Sequence, residues 1–334
     1  MGGDVMTRRE LYFTGEHSVE VRASPVPEPD DGEVLVRTER SGISPGTELL
    51  VYRGDVSQQS ARDETIDALD GTFSYPLQYG YSAVGRVSEL GAGVDESWRG
   101  QRVFAFNPHT SHFVADPDSL IPTTLPPERA LFIPNVEAAV NFVMDARPRL
   151  GSRVVVFGQG PVGLLTTALL SQFPLDRLLT VDYDETRRSL SETFGADRAV
   201  PPDLIPGCLS EPADVTLELS GNPNALDDAV DVTGYAGQVL VGSWYGTKDV
   251  TLQLAEEYHR SHIRIQSSQV SRIDPDHADR WDKDRRMAVV TDWLSETDLS
   301  MLLTHEFDIE DAADAYRLLD DQGEDAVQVS LTYD

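Results

Sequence analysis

Gly158-Gln159-Gly160-Pro161-Val162-Gly163 stands between an apolar run at 154–157 and an apolar stretch at 164–170. A G-x-G-x-x-G turn that joins a buried strand to a helix sets a dinucleotide pyrophosphate against the helix N-terminus. The first glycine permits the tight turn, the second lets a phosphate approach the backbone, and the third lets the helix pack closely on its strand. The same glycines would suit a turn that only packs helix on strand. What separates the two readings is Leu178-Leu179-Thr180-Val181-Asp182, a second strand whose terminal acid falls nineteen residues past Gly163. A ribose-binding carboxylate is expected about there, and the pair of signals points to dinucleotide binding.

Such a loop needs a parallel sheet beneath it. From about 126 to 289 strands and helices alternate, the mark of an α/β, doubly wound parallel sheet with helices on both faces. The pattern predicts strands at 153–157, 178–182, 214–218, 238–242 and 263–267, with helices at 161–172, 185–194 and 224–233. Residues 1 to about 125 read differently. Glu33-Val34-Leu35-Val36-Arg37-Thr38 and Ala83-Val84-Gly85-Arg86-Val87 alternate, and Gly and Pro fill the gaps, which predicts a small, partly closed all-β domain. Residues 55–72 are polar, acidic and aperiodic, a long surface excursion of the kind that can serve as a lid. Residues 290–334 carry a helix at 311–319 and the strand Ala326-Val327-Gln328-Val329-Ser330-Leu331, expected to return to the first domain.

Composition narrows the partners. The chain of 334 residues is 40% hydrophobic, enough for two domains with real cores, and no stretch is long enough to span a membrane. The opening residues 1–10 hold two arginines and no apolar core of a signal peptide, so the expected location is the cytoplasm. A single cysteine, Cys208, excludes internal disulfides and cysteine-based zinc clusters. The net charge is −30, with 25 arginines but only two lysines, Lys248 and Lys283. Acids scattered through every segment suit a protein kept soluble in concentrated salt, where screening removes most of the self-repulsion. Nucleic acid is an unsuitable partner for a chain without basic patches.

Beyond the glycine loop, Ser41-Gly42-Ile43-Ser44-Pro45-Gly46-Thr47-Glu48, Tyr75-Pro76-Leu77-Gln78-Tyr79-Gly80-Tyr81-Ser82-Ala83-Val84-Gly85 and Glu218-Leu219-Ser220-Gly221-Asn222 resemble segments of the medium-chain dehydrogenase/reductase superfamily. The resemblance covers essentially the whole length. It implies a GroES-like catalytic domain over 1–125, a Rossmann domain over 126–289 and a C-terminal return over 290–334. Ile133-Pro134-Asn135-Val136-Glu137-Ala138-Ala139 and 259–270 are similar to the subgroup containing 2-desacetyl-2-hydroxyethyl bacteriochlorophyllide dehydrogenase. Relatives of this kind are dimers or tetramers, so a homodimer or homotetramer is expected.

The departures from the zinc-dependent branch carry as much information. That branch has a Cys in Gly-Ile-Cys-Gly-Thr-Asp and a His and Glu in Gly-His-Glu. Here Ser44 or Pro45, Tyr81 and Ser82 take those places, and the third ligand position falls near Pro134 or Asn135. No zinc is expected, because such a site needs three ligands from Cys, His or carboxylate; Glu48, His109 and His112 offer an unpatterned alternative. With the metal gone, a substrate oxygen must be polarised by hydrogen-bond donors or an acid. Tyr81 either donates its phenol proton or fills the vacated pocket, Thr47 is either a hydroxyl relay or a turn residue, and His109 is either a proton carrier or structural. Glu48 is expected to orient backbone or arginine groups nearby. His112, His259, His262 and His305 read as structural.

The cofactor side is more definite. Asp182, with Tyr183 beside it, would accept ribose hydroxyls and repel a 2′-phosphate, favouring NAD over NADP. Arg187 and Arg188 could cover the adenine or meet a phosphate. Ser220, Gly221 and Asn222 are expected over the adenosine side, with Ser243, Ser267, Ser268 and Gln269 near the nicotinamide, since ligands bind at strand C-terminal ends in such sheets. The implied function is a zinc-independent, NAD-dependent interconversion of a secondary alcohol and a ketone, with a small-molecule substrate. Two alternatives stand beside it: a zinc-free NADPH-dependent enone or quinone reductase, which Asp182 opposes, and a dinucleotide-binding sensor or scaffold without turnover.

Overall fold

A computed structural model describes residues 6–63, 65–321 and 326–333. Of the opening segment read for a targeting signal, 1–5 lie outside the described residues. The chain divides into two compact units, Met1–Pro134 with Leu294–Asp334, and Asn135–Trp293. The sequence pattern changes near 125 and 289, whereas these divisions fall at 134 and 293. Each lies inside a helix, where composition gives no signal.

The first unit begins with β1 (Thr7–Gly15), β2 (Ser18–Pro25), β3 (Val34–Ile43), α1 (Pro45–Arg53), β4 (Ala83–Leu90), β5 (Arg102–Ala105), β6 (His112–Ala115), β7 (Ile121–Pro122) and α2 (Pro127–Ala130). The second comprises most of α3 (Ile133–Ala146), then β8 (Arg153–Phe157), α4 (Pro161–Leu170), β9 (Arg177–Val181), α5 (Glu185–Thr193), β10 (Arg198–Val200), β11 (Ala213–Glu218), α6 (Pro223–Val232), β12 (Thr233–Val241), β13 (Arg264–Ser267) and most of α7 (Lys283–Glu296). The chain then returns to the first unit with β14 (Leu303–Asp308), α8 (Ala312–Asp320) and β15 (Gln328–Thr332).

In the first unit β1 and β2 form an antiparallel hairpin, and a seven-stranded sheet runs β14-β15-β3-β4-β5-β7 with β6 also on β3. β15 lies antiparallel to β3, with Val329 opposite Ile43 and Leu331 opposite Ser41. The predicted alternation in β3 holds past a bulge at Leu35/Val36: Val36 and Thr38 are buried and Arg37 is exposed. One core gathers Val34, Val36, Ala83, Val87, Val103 and Phe113. A second packs Leu11 and Phe13 against 49–52 of α1 and Tyr316 of α8. α1 starts on Pro45, whose missing N–H costs nothing at a first helical position. The 55–72 segment is not a plain surface excursion. Val56 and Leu69 are buried in the second core, and the Arg62 guanidinium donates to the carbonyls of Gln78 and Asp70.

In the second unit six parallel strands run β10-β9-β8-β11-β12-β13, the Rossmann order. Val154, Val155 and Val156 are fully buried in succession. A strand covered by helices on both faces needs an unbroken apolar run, and each such side chain contributes about 2 kcal/mol. β10 escaped the sequence reading because Arg198-Ala199-Val200 is too short for any period. It pairs with β9 and completes the sheet. The β1–β2 hairpin, α1, α3 and α7 likewise have no counterpart among the predicted elements.

Candidate active site

The dinucleotide loop is shaped by what cannot fit. Gly158 sits at φ +86°, and a Cβ there would stand 2.6 Å from the Ser220 backbone. A Cβ on Gly163 would stand 1.9 Å from the Gly158 carbonyl oxygen. Gly160, between them, has nothing within 4 Å of its Cβ position. The loop is closed on both sides and open at its middle, where a phosphate would lie. Gly160 is also the N-cap of α4, and no side chain caps that helix, so its N-terminal dipole is available to an anion. Pro161 opens the helix and Val162 is half-buried. Gln159 departs from the expected ligand contact. Its side chain turns inward, donating to the Gly158 carbonyl at 3.0 Å and accepting from Thr167 at 3.0 Å, so its part is to hold the loop.

Asp182 stands at the end of β9 with Oδ2 accepting the Gln159 N–H at 2.6 Å and Oδ1 accepting the Asp184 N–H at 2.9 Å. The carboxylate is thereby tied to the bend of the glycine loop. Arg188 donates to the carbonyls of Asp182 and Tyr183 at 2.9 and 2.6 Å, which engages it in bracing this turn rather than reaching for a phosphate. The Arg187 N–H caps α5 through Asp184 at 2.9 Å, and Tyr183 is 72% exposed.

At the end of β11 the fully buried Glu218 organises the neighbouring turns, a role the sequence reading missed. Its Oε1 accepts the N–H and hydroxyl of Ser220 at 2.7 and 2.5 Å, and its Oε2 accepts the Tyr245 hydroxyl at 2.5 Å. Burial, and then the Glu218 charge, push the Tyr245 phenol well up. Ser243 accepts the Gly221 N–H at 2.8 Å, and Asn222 caps α6 through the Asn224 N–H at 3.1 Å. Ser267, the last residue of β13, and Gln269 beyond it are exposed, whereas Ser268 is buried with its hydroxyl on Asp145 at 2.5 Å.

In the first unit α1 and its N-cap bring Ser44, Thr47 and Glu48 together, and the segment before β4 adds Tyr81. The Tyr81 hydroxyl lies 2.5 Å from Ser44 Oγ and 3.1 Å from Thr47 Oγ1. Burial raises the Tyr81 phenol above its usual value, against the lowering effect of those two hydroxyls. Glu48 holds no arginine. Its Oε1 accepts the Ser44 N–H at 2.7 Å, and its Oε2 meets His109 Nε2 at 2.9 Å and the Tyr316 hydroxyl. His109 Nδ1 lies 2.7 Å from Ser41 Oγ, which lies 2.6 Å from the Tyr333 hydroxyl. One direction of donation satisfies every atom: Tyr333 to Ser41, Ser41 to His109, His109 to Glu48. Burial pushes both the Tyr316 and Tyr333 phenols up, which keeps them donors. Ser41, His109 and Glu48 have the composition of a nucleophilic triad, but all three are 0% exposed. No substrate reaches Ser41, and the line is a structural spine that anchors the α1 N-terminus.

The residues fit a dinucleotide and do not fit zinc. The loop leaves room at Gly160 beside an uncapped helix and a carboxylate. At the zinc-ligand positions Ser44 and Tyr81 bond to each other, and Ser82 donates to the Leu131 carbonyl at 2.7 Å. His112 is not beside Glu48 and His109. Its Nδ1 meets Ser111, and burial, then Arg37, Arg9 and Arg8, lower its pKa. Among the described residues no group of three His, Cys, Asp or Glu side chains is arranged to hold a metal ion. None of the described helices is long and apolar enough to cross a membrane.

Residues 30–118 match the alcohol dehydrogenase GroES-like domain. The L-threonine 3-dehydrogenase of Xanthomonas euvesicatoria pv. vesicatoria is 28% identical over 255 residues, 65% of this chain and 71% of that protein. The fold is shared with an alcohol dehydrogenase from E. coli CFT073 solved with NADH, at TM-score 0.76 and 20% identity over 98% of this chain and 99% of that one. It is shared too with 2R,3R-butanediol dehydrogenase from Bacillus subtilis, at TM-score 0.79 and 18% identity over 98% of this chain and all of that one.

Proposed function

We propose that the chain is a member of the zinc-type medium-chain dehydrogenase/reductase superfamily and, within it, an NAD(H)-dependent oxidoreductase that interconverts a secondary alcohol and a ketone without zinc; the GroES-like match and the threonine dehydrogenase relative support the family. The observation that carries this reading is the Tyr81–Ser44–Thr47 hydroxyl cluster at the positions where relatives hold metal. A bound nicotinamide gives or takes the hydride. Asp182 would hold the adenosine ribose and Gly160 with the α4 N-terminus the pyrophosphate; a 2′-phosphate beside the Asp182 carboxylate would be repelled.

Three hydroxyls carry three protons, and the two contacts of Tyr81 with Ser44 and Thr47 use two of them. One proton is left to donate to a substrate oxygen. For that proton to be the one on Tyr81, Ser44 and Thr47 must both turn to donate to the phenol oxygen when substrate binds; the raised phenol, protonated through the neutral range, then polarises a carbonyl and supplies the alcohol proton in ketone reduction. Glu48 fixes the backbone of Ser44, and with it the start of the helix that presents Thr47.

Titration with NADH and NADPH in molar KCl, with metal content measured on the same sample, tests the proposal. Tight NADH binding on zinc-free protein supports it. A preference for NADPH would move the reading to an enone reductase, and stoichiometric zinc would remove the hydroxyl-cluster argument. The net charge of −30 supports a salt-adapted protein, whose unfolding midpoint should rise between dilute and molar KCl.

A further inference from the structure

Under the segment that follows β13 lies a buried polar network that neither the sheet nor the glycine loop requires. Arg286, on α7, is 0% exposed. Its Nη1 donates to Asn141 Oδ1, and its Nη2 donates to Glu137 Oε1 and to the Val270 carbonyl, each at 2.6 Å. Asn141 passes its Nδ2 protons to Asp145 Oδ2 at 3.0 Å and Ser268 Oγ at 2.9 Å. Glu137, Asn141 and Asp145 recur every four residues on α3, a polar stripe on a buried helix face where apolar residues would normally stand. The segment 268–270 is therefore gripped at both ends, by the Ser268 side chain and the Val270 carbonyl, from two helices.

Burying an arginine–glutamate pair is a poor route to stability, since desolvation offsets the attraction. The Arg286 Nε is left buried with no partner, so the network is not even complete as a set of hydrogen bonds. What it does accomplish is geometric. Asp182 ends β9 and the glycine loop ends β8, so a dinucleotide lying across the sheet has its adenosine half on the β9 side. Its nicotinamide half then runs over the ends of β11, β12 and β13.

We propose that Arg286, acting with Glu137 and Asn141, is a positioning residue for the nicotinamide half, holding 267–269 so that the exposed Ser267 and Gln269 meet it. This rests on the dinucleotide-binding reading above. The test titrates wild type, Arg286→Met and Ser268→Ala with NADH and with ADP-ribose, which has the adenosine, pyrophosphate and second ribose but no nicotinamide, and records the emission of bound NADH. Arg286→Met weakens NADH by about tenfold and alters its emission, while ADP-ribose affinity stays within about twofold. Ser268→Ala moves NADH alone, in the same direction, by about threefold. A merely structural role lowers both ligands together, so equal losses, or no loss in either variant, overturn the proposal. Should Arg286→Met fail to fold, the ratio of the two affinities in Ser268→Ala decides in the same way. A wild type that binds neither ligand brings down the dinucleotide reading itself, an outcome distinct from a lost NADH preference.

Discussion

The glycine loop and the Tyr81 cluster are built by opposite means. The loop is defined by backbone: Gly163 approaches the Gly158 carbonyl so closely that no side chain fits, and its one capping position is left open. The cluster is defined by side chains, three hydroxyls above a carboxylate that receives donors from Ser44, His109 and Tyr316. A backbone site fails through shape and takes binding with it. A side-chain site loses chemistry while the fold and the cofactor remain.

The largest expected effect breaks the first kind. Gly163→Ala puts a methyl group 1.9 Å from a carbonyl oxygen, and NADH affinity should fall by about a hundredfold or more, with about 2 kcal/mol of stability lost in denaturant unfolding. Next comes Tyr81→Phe, which should lower kcat about a hundredfold and leave the NADH dissociation constant within about twofold. Unchanged turnover would take Tyr81 out of the mechanism. Glu48→Gln sharpens the contrast from below, because an amide N–H would face buried donors in place of a carboxylate oxygen. Thermal or chemical unfolding should show a loss of about 3 kcal/mol. The smallest effect is in pH. A phenol raised above its usual value keeps its proton as pH climbs, so ketone reduction should be flat in its dependence on Tyr81 from about pH 7 to 9 and decline only above about 10. A decline centred near neutrality would assign the proton to another group.

The same division explains what could be read in the chain. Gly158, Gly163 and Asp182 were legible because close backbone approach and the fixed spacing of a strand–helix–strand unit dictate residue type and position. Tyr81 and Thr47 were visible as candidates, yet their contact with Ser44 was not. The partners of His109 and Glu48 were out of reach, since Tyr316 stands 268 residues from Glu48 and Tyr333 stands 292 from Ser41. No local period encodes such meetings. Ser268 was read as a ligand because strand ends bind ligands, and its inward turn depends on Asn141, 127 residues away on another element. The anchoring role of Glu218 passed unnoticed because an acid ending a strand looks the same whether it faces solvent or anchors a turn.

β15 occupies the sheet between β14 and β3. During synthesis the whole of the second unit leaves the ribosome before β15 exists, and it is contiguous enough to fold as it emerges. The first unit must wait: β6 covers 34–37 on one flank of β3 early, but residues 40–43 of that flank stay without their partner until β15 has been made, as the Val329–Ile43 pairing requires. The open 40–43 end of β3 is thus the nascent chain's sticky edge, and the nearby β-rich segment is where shielding by a chaperone during translation would matter most.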